Sequence, residues 1–321
     1  MFWSITNLIQ IPSTSGKIAL VALNLFLSAL QVDAQLSDSF SEEEVTGAQR
    51  QMIQKFTGVT AIREDVYLPS RSTAGEREEV AAFLYQSLAE DGLSPERHQY
   101  KTSNKLPILD LFFNPYKGTN VYTIIPATVP SKEYVLLGAH YDSEPGSPGA
   151  NDNATGVSLV YQVALQLKNA EYRGRNFIIV FFDQEEDELI GSKAFARKML
   201  KEGKLIHSVH TADMIGWDAD RDGAIELEYP TRELRNLYEK VGENLGIPLH
   251  ITQVTSTDHE AFREQGYPAV GVTEEYVNGD STPHYHKASD TAETVDFDFL
   301  LKATRFVWFA MQELAESPQI N

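Results

Sequence analysis

Residues Phe177 to Phe182 form an unbroken apolar run, FIIVFF, that passes directly into the acidic string DQEEDE. Such a run has no polar side to offer water, so as a strand it must be covered on both faces, as in a parallel sheet flanked by helices. From residue 118 onward strand-like and helix-like stretches alternate. The strand-like ones are NVYTIIPA, YVLLGAHY, NFIIVFFD, HSVHTADMIG, AIELEYP, LHITQV and PAVGVTE; the helix-like ones cover 157–169, 191–202, 231–245, 258–265 and 296–315. This alternation predicts one α/β domain, a three-layer α/β/α arrangement around a mixed, largely parallel central sheet. Upstream, STAGEREEVAAFLYQSLAEDG has a Ser/Thr start, early acids and a terminal glycine, which predict an amphipathic helix.

In open α/β sheets, sites form beyond the carboxyl ends of the strands. Three of the apolar runs end in polar residues of one chemical kind. YVLLGAHYD delivers His140 and Asp142, NFIIVFFDQEE delivers Asp183, Glu185 and Glu186, and HSVHTADMIG approaches its end at Asp213. Between the first run and the next helix, the small-residue loop GANDNATG adds Asp152, which by itself reads as a helix cap. Carboxylates gathered at one sheet edge repel and raise one another's pKa unless a cation sits among them. The chain has no cysteine, which excludes disulfides, thiolate ligands and a cysteine nucleophile. With imidazole and carboxylate as the available donors, zinc or a similar divalent ion is the expected cation. A late loop, GDSTPHYHKASDT, brings two more histidines, His284 and His286, either of which can reach back to such a site.

The 46 acidic and 27 basic residues give a formal charge of −19, which argues against nucleic acid or an anionic membrane surface as partner. The N-terminal stretch differs from the rest. Lys17 precedes the apolar run IALVALNLFLSALQV, and VDA before Gln35 supplies small residues for a cleavage site. This pattern predicts an export signal over 1–34, with the product periplasmic or secreted and without a stable membrane span after cleavage. Residues 35–45 read as a flexible acidic lead-in and 46–321 as a single domain.

The segments GAHYDS, GANDNATG, FFDQEEDELIGS, ADMIG and HKASDT, in this order and spacing, resemble the co-catalytic zinc aminopeptidase family. That family includes secreted bacterial leucyl aminopeptidases and is related to zinc carboxypeptidases and glutaminyl cyclases. The resemblance runs over about residues 46 to 316. It implies two zinc ions per chain, with His140 and Asp213 holding one, Glu186 and His286 the other, and Asp152 bridging both. It implies Glu185 as general base, and it selects His286 over His284 because the family's histidine stands four residues before its Asp-Thr pair. Asp142 is expected to accept from the other N–H of His140, and Asp290 to serve His286 in the same way.

The small residues Gly149 and Ala150 are expected to let the Asp152 loop pass close to the metals. His207 and His210 are expected to be structural. Asp258 and His259, in STDHEAFREQGYPA, are expected beside the substrate pocket. Asn153-Ala154-Thr155 matches a glycosylation acceptor, but a glycan there would block the site. The activity implied is hydrolysis of N-terminal residues from peptides with a free amine. A glutaminyl cyclase using one zinc and a carboxypeptidase on the same scaffold are the alternatives. Without cysteine the loop from Gln253 to Thr257 has no disulfide tie, so specificity transfers least there.

Overall fold

A computed structural model describes residues 41–101 and 116–317. The sheet lies in the compact unit that begins at Glu43. The expected export signal over 1–34 falls outside the described residues. No helix among the described residues is long and apolar enough to cross a membrane.

The chain opens with α1 (Glu42–Phe56) and α2 (Ala74–Glu90), followed by β1 (Pro95–Lys101), β2 (Lys117–Ile125) and β3 (Glu133–His140). A tight turn over Ala150–Thr155 leads into α3 (Gly156–Asn169), then β4 (Asn176–Phe182), α4 (Ile190–Lys201), β5 (Leu205–Ala212) and β6 (Ile225–Glu228). The remaining elements are α5 (Arg232–Leu245), β7 (Leu249–Thr252), α6 (Asp258–Arg263), β8 (Ala269–Thr273) and α7 (Phe297–Glu316). The start of α2 is fixed by a capping box. The Thr73 side chain accepts from the Glu76 N–H, and the Glu76 carboxylate accepts from the Thr73 N–H at 2.8 Å.

The strands form one sheet in the order β1-β2-β4-β3-β5-β8-β6-β7. Its centre, β4-β3-β5-β8, is parallel, whereas β1–β2, β2–β4 and β6–β8 pair antiparallel. The run from Phe177 to Phe182 lies at this centre and is covered on both faces. Phe181 approaches Tyr161 of α3, and Phe182 packs on Phe195 of α4 and Phe262 of α6. Each such aromatic stabilises the fold by about 1.5–3 kcal/mol through burial. Strand β1 was not legible in the sequence. PERHQYK is charged, begins with proline and is at most half-buried, which only an edge strand tolerates.

This register positions the site. His140 pairs with Phe182, and Gly138 with Thr211, so β3, β4 and β5 end level with one another. The residues that follow them emerge at one edge because the three strands run parallel.

Candidate metal centre

His140 stands at the last position of β3, and its Nε2 lies 3.3 Å from Asp152 Oδ1 and 3.3 Å from Asp213 Oδ1. His286, from the loop before α7, lies with Nε2 3.2 Å from Asp152 Oδ2 and 3.0 Å from Glu186 Oε2. The Asp152 carboxylate thus turns one oxygen to each histidine. Donors held about 2.0–2.1 Å from a tetrahedral zinc stand about 3.3–3.4 Å from one another, close to the spacing found here. The two donor triads therefore fit a divalent cation each, with Asp152 common to both. Glu144 also lies here: it, Glu186 and His286 offer ligand atoms within 4.8 Å of one another, as do His140, Asp152 and Asp213. Nothing in the sequence singled Glu144 out.

The electrostatics reflect the crowding. Burial, and then the charge of Asp152, push Glu186 up to about 7. Burial also raises Asp213, and it drives Glu185 well above the ordinary carboxylate range, with Asp213 adding to the effect. Burial pulls the His140 imidazole down, but the carboxylates around it, Asp213 foremost, hold it well above its usual value. Hydrogen bonds to Asp152 and Glu186 lift His286 to about 10. Protons thus share this cluster with carboxylates, a role that cations of higher charge also fill.

The surrounding loops hold each donor in place. Asp142 lies 3.4 Å from His140 Nδ1, and its carboxylate accepts from the backbone N–H groups of Glu185 at 3.1 Å and Glu186 at 3.2 Å. Asp142 thus aims the two glutamates and also stands beside the other ring nitrogen of His140, as expected of it. Asp290 departs from expectation. It does not serve His286 but accepts from the N–H groups of Asn151 at 2.8 Å and Asp152 at 3.1 Å, fixing the central carboxylate through its backbone.

Gly149 adopts φ +66°, and a Cβ there would run into the Asp152 carbonyl oxygen and the Arg71 guanidinium, as a close-passing loop requires. Asn153 is fully buried, with its amide donating to the Ala212 carbonyl at 2.9 Å, so the glycosylation pattern is inaccessible in the folded chain.

Other sequence candidates lie elsewhere. His210 is buried between Tyr238 and Ser208, and His207 meets Ser208. His284 bonds Ser289 and packs its edge on Trp217. Asp258 and His259 are buried behind the wall of the adjoining cavity.

Besides Glu144, two further residues of the centre went unread in the sequence. Tyr285 stacks on the His286 ring, with centroids 3.7 Å apart. Arg71, fully buried, donates to the carbonyl oxygens of Tyr141 at 2.7 Å, Gly149 at 2.8 Å and Phe56 at 3.0 Å, joining both loops of the site to α1.

A cavity of about 370 Å³ opens over Asp152, Glu185, Glu186, Asp213 and His286. A larger hollow of about 470 Å³ around Arg77, Tyr100 and Asp183 has no histidine in its lining, and its buried charges are already paired, Arg77 to Asp183 at 2.7 Å. The metal-ligating chemistry belongs to the smaller one.

Residues 120–311 match the profile of Peptidase family M28. A probable leucine aminopeptidase of Trichophyton verrucosum is 29% identical over 219 residues, 63% of this chain and 58% of that protein. Aminopeptidase YwaD of Bacillus subtilis is 29% identical over 201 residues, 59% of this chain and 42% of that protein. The chain thus spans about half the length of these relatives. Among solved structures, the zinc aminopeptidase BSAP from Bacillus subtilis superimposes with a TM-score of 0.74 at 16% identity, covering 86% of this chain and 96% of that one. A glutaminyl cyclase from an Acidobacteriales bacterium superimposes with a TM-score of 0.69 at 18% identity, covering 84% and 94%. At these identities the likeness concerns the fold.

Proposed function

This chain belongs to Peptidase family M28, and from that premise we propose that it is an exported zinc aminopeptidase, removing N-terminal residues from peptides with a free amine. The observation that carries the reading is the shared carboxylate of Asp152, set between His140 on one side and His286 on the other. In this reading His140, Asp152 and Asp213 hold one zinc, and Asp152, Glu186 and His286 hold a second. When bound, the two metals supply an activated water and a clamp for the oxyanion that develops on the scissile carbonyl.

Glu185 is the proton carrier. Its Oε2 lies 4.0 Å from His140 Nε2, at the mouth of the donor cluster, and its backbone is held by Asp142. It accepts a proton from the attacking water and returns it to the leaving amine, a contribution of about 10²–10⁴-fold. The acidic surroundings favour a substrate that enters amine first.

The test uses the purified chain loaded with zinc. Two zinc ions per chain, with release of aminoacyl-anilides, is the expected result. One zinc with cyclisation of a glutaminyl peptide and no hydrolysis, or cleavage from the carboxyl end alone, overturns the reading. Export is checked by sequencing the N-terminus of secreted protein, expected to begin at Gln35.

A second expectation concerns Asp290. Replacing it with asparagine puts an NH₂ group where an N–H of Asn151 or Asp152 now finds an acceptor. Zinc affinity should fall about 10–100-fold, measured by competition with a chelator, while the circular dichroism spectrum stays unchanged. An undiminished affinity would remove Asp290 from the site's support.

A further inference from the structure

Besides the acids used above, the lining of the cavity beside the metal centre carries Glu188, Glu228, Glu260 and Glu264, of which Glu228 alone is buried. Glu228 is the last residue of β6, buried, and part of the cavity lining. The same strand carries a second buried acid, Glu226, whose Oε1 accepts from the N–H groups of Val277 at 2.9 Å and Asn278 at 2.7 Å. Glu226 is thereby occupied with structure. Glu228 is not. Its Oε2 accepts from the Thr257 hydroxyl at 2.8 Å and lies 3.5 Å from His259 Nδ1, and no hydrogen bond to Oε1 is found among the described residues.

His259 supplies no countercharge, because burial, and then Arg263, bring its imidazole down to about 4. Among the described residues no lysine or arginine lies within ion-pair distance of Glu228. Taking a carboxylate out of water without a cation is costly, and burial, followed by the charge of Asp213, pushes Glu228 up to about 8.

The neighbouring strand is shaped to admit this carboxylate. Gly271 of β8 faces it, and a Cβ at 271 would collide with Glu228 Oε2. An apolar side chain at either position would floor the cavity with hydrocarbon; the chain instead places a carboxylate there and clears space for it. The rest of the lining suits a long side chain with a cationic tip. Leu189 and Met214 offer apolar surface for a methylene stem, and Tyr276 and Tyr285 present an aromatic wall. Lys193 is the one lysine or arginine in the lining, and its ammonium donates to the Glu188 carbonyl at 3.0 Å.

We propose that this cavity receives the side chain of the substrate's N-terminal residue and selects lysine or arginine, with the carboxylate of Glu228 as its partner. The inference rests on the aminopeptidase reading and departs from the leucine preference in the printed names of the relatives. The cation enters a site whose desolvation the fold has already imposed, so pairing is worth more than on an open surface.

The experiment compares the zinc-loaded enzyme on arginyl, lysyl, leucyl and glutaminyl 4-nitroanilides. Arginine and lysine should exceed leucine in kcat/KM by about 10–100-fold, the range expected of hydrogen bonds to a charged group, chiefly through KM. Glu228→Gln keeps the shape and the Thr257 bond, and it should cut the arginine-to-leucine ratio by a similar factor. Free arginine should inhibit the wild-type enzyme more strongly than free leucine does, and lose that advantage in the variant. If Glu228→Gln is poorly folded by circular dichroism, the wild-type ratio and the product inhibition decide alone. A leucine or glutamine preference, or a ratio that Glu228→Gln leaves unmoved, overturns the proposal while the aminopeptidase reading stands. Failure to cleave any anilide overturns both.

Discussion

Replacing Glu185 by glutamine is expected to lower kcat by about 10²–10⁴-fold while leaving the zinc content and the thermal midpoint where they were. The substitution keeps the volume and one acceptor oxygen but removes the group that takes up a proton. The backbone N–H at 185 still reaches Asp142, and Glu186, 3.0 Å from His286, keeps its place in the donor triad. KM should change little, because the lost interaction is made in the transition state. The measurement is steady-state turnover together with zinc per chain. A variant with full activity would assign the proton transfer to another group. One that loses zinc along with activity would make Glu185 a ligand instead of a base.

Arg71→Met should destabilise the protein by about 3–5 kcal/mol, the range for stripping one partner from a buried charged network. The guanidinium is fully buried and ties together carbonyl groups from α1, from the loop after β3 and from the stretch before Asp152. Without it those oxygens stay buried with no replacement donor. Asp290, Asp142, Asp152 and Glu186, whose charges act on this guanidinium, would lose a nearby cation. Burial lowers the Arg71 pKa, but an arginine remains charged under these conditions. Arg71→Lys should recover little, since one ammonium does not reproduce a planar fork reaching several carbonyls. Urea unfolding gives the answer: a loss below about 1 kcal/mol, the worth of a single ordinary hydrogen bond, would show that the network is dispensable.

Much of the architecture was legible because burial leaves a direct trace in the pattern of side chains. Phe177 to Phe182 must be covered on both sides, and Phe181 and Phe182 do face α3 and α4 respectively. The edge strand β1 left no such trace, since a strand that is at most half-buried needs no apolar pattern. Within the site, the family resemblance implied six side chains, and the structure gathers them so that each lies within 4.0 Å of another. The roles of their supports were less readable. Asp142 stands beside His140 as expected and also accepts from two backbone N–H groups, whereas Asp290, expected to serve His286, bonds to backbone N–H groups instead, because a carboxylate beside a loop meets several unpaired donors at short range.

The sequence by itself determined which chemical groups stand at the carboxyl ends of which strands, because the length and order of the apolar runs set where each strand stops. It also determined that cysteine takes no part. Only the tertiary structure decided how those groups are held: Asp290 reaching N–H groups 138 and 139 positions away, Arg71 spanning 70 and 78 positions to Tyr141 and Gly149. The physical reason is that a hydrogen bond is sensitive to tenths of an ångström and to direction. Loop paths at that precision follow from the packing of the whole domain, and no local pattern encodes them.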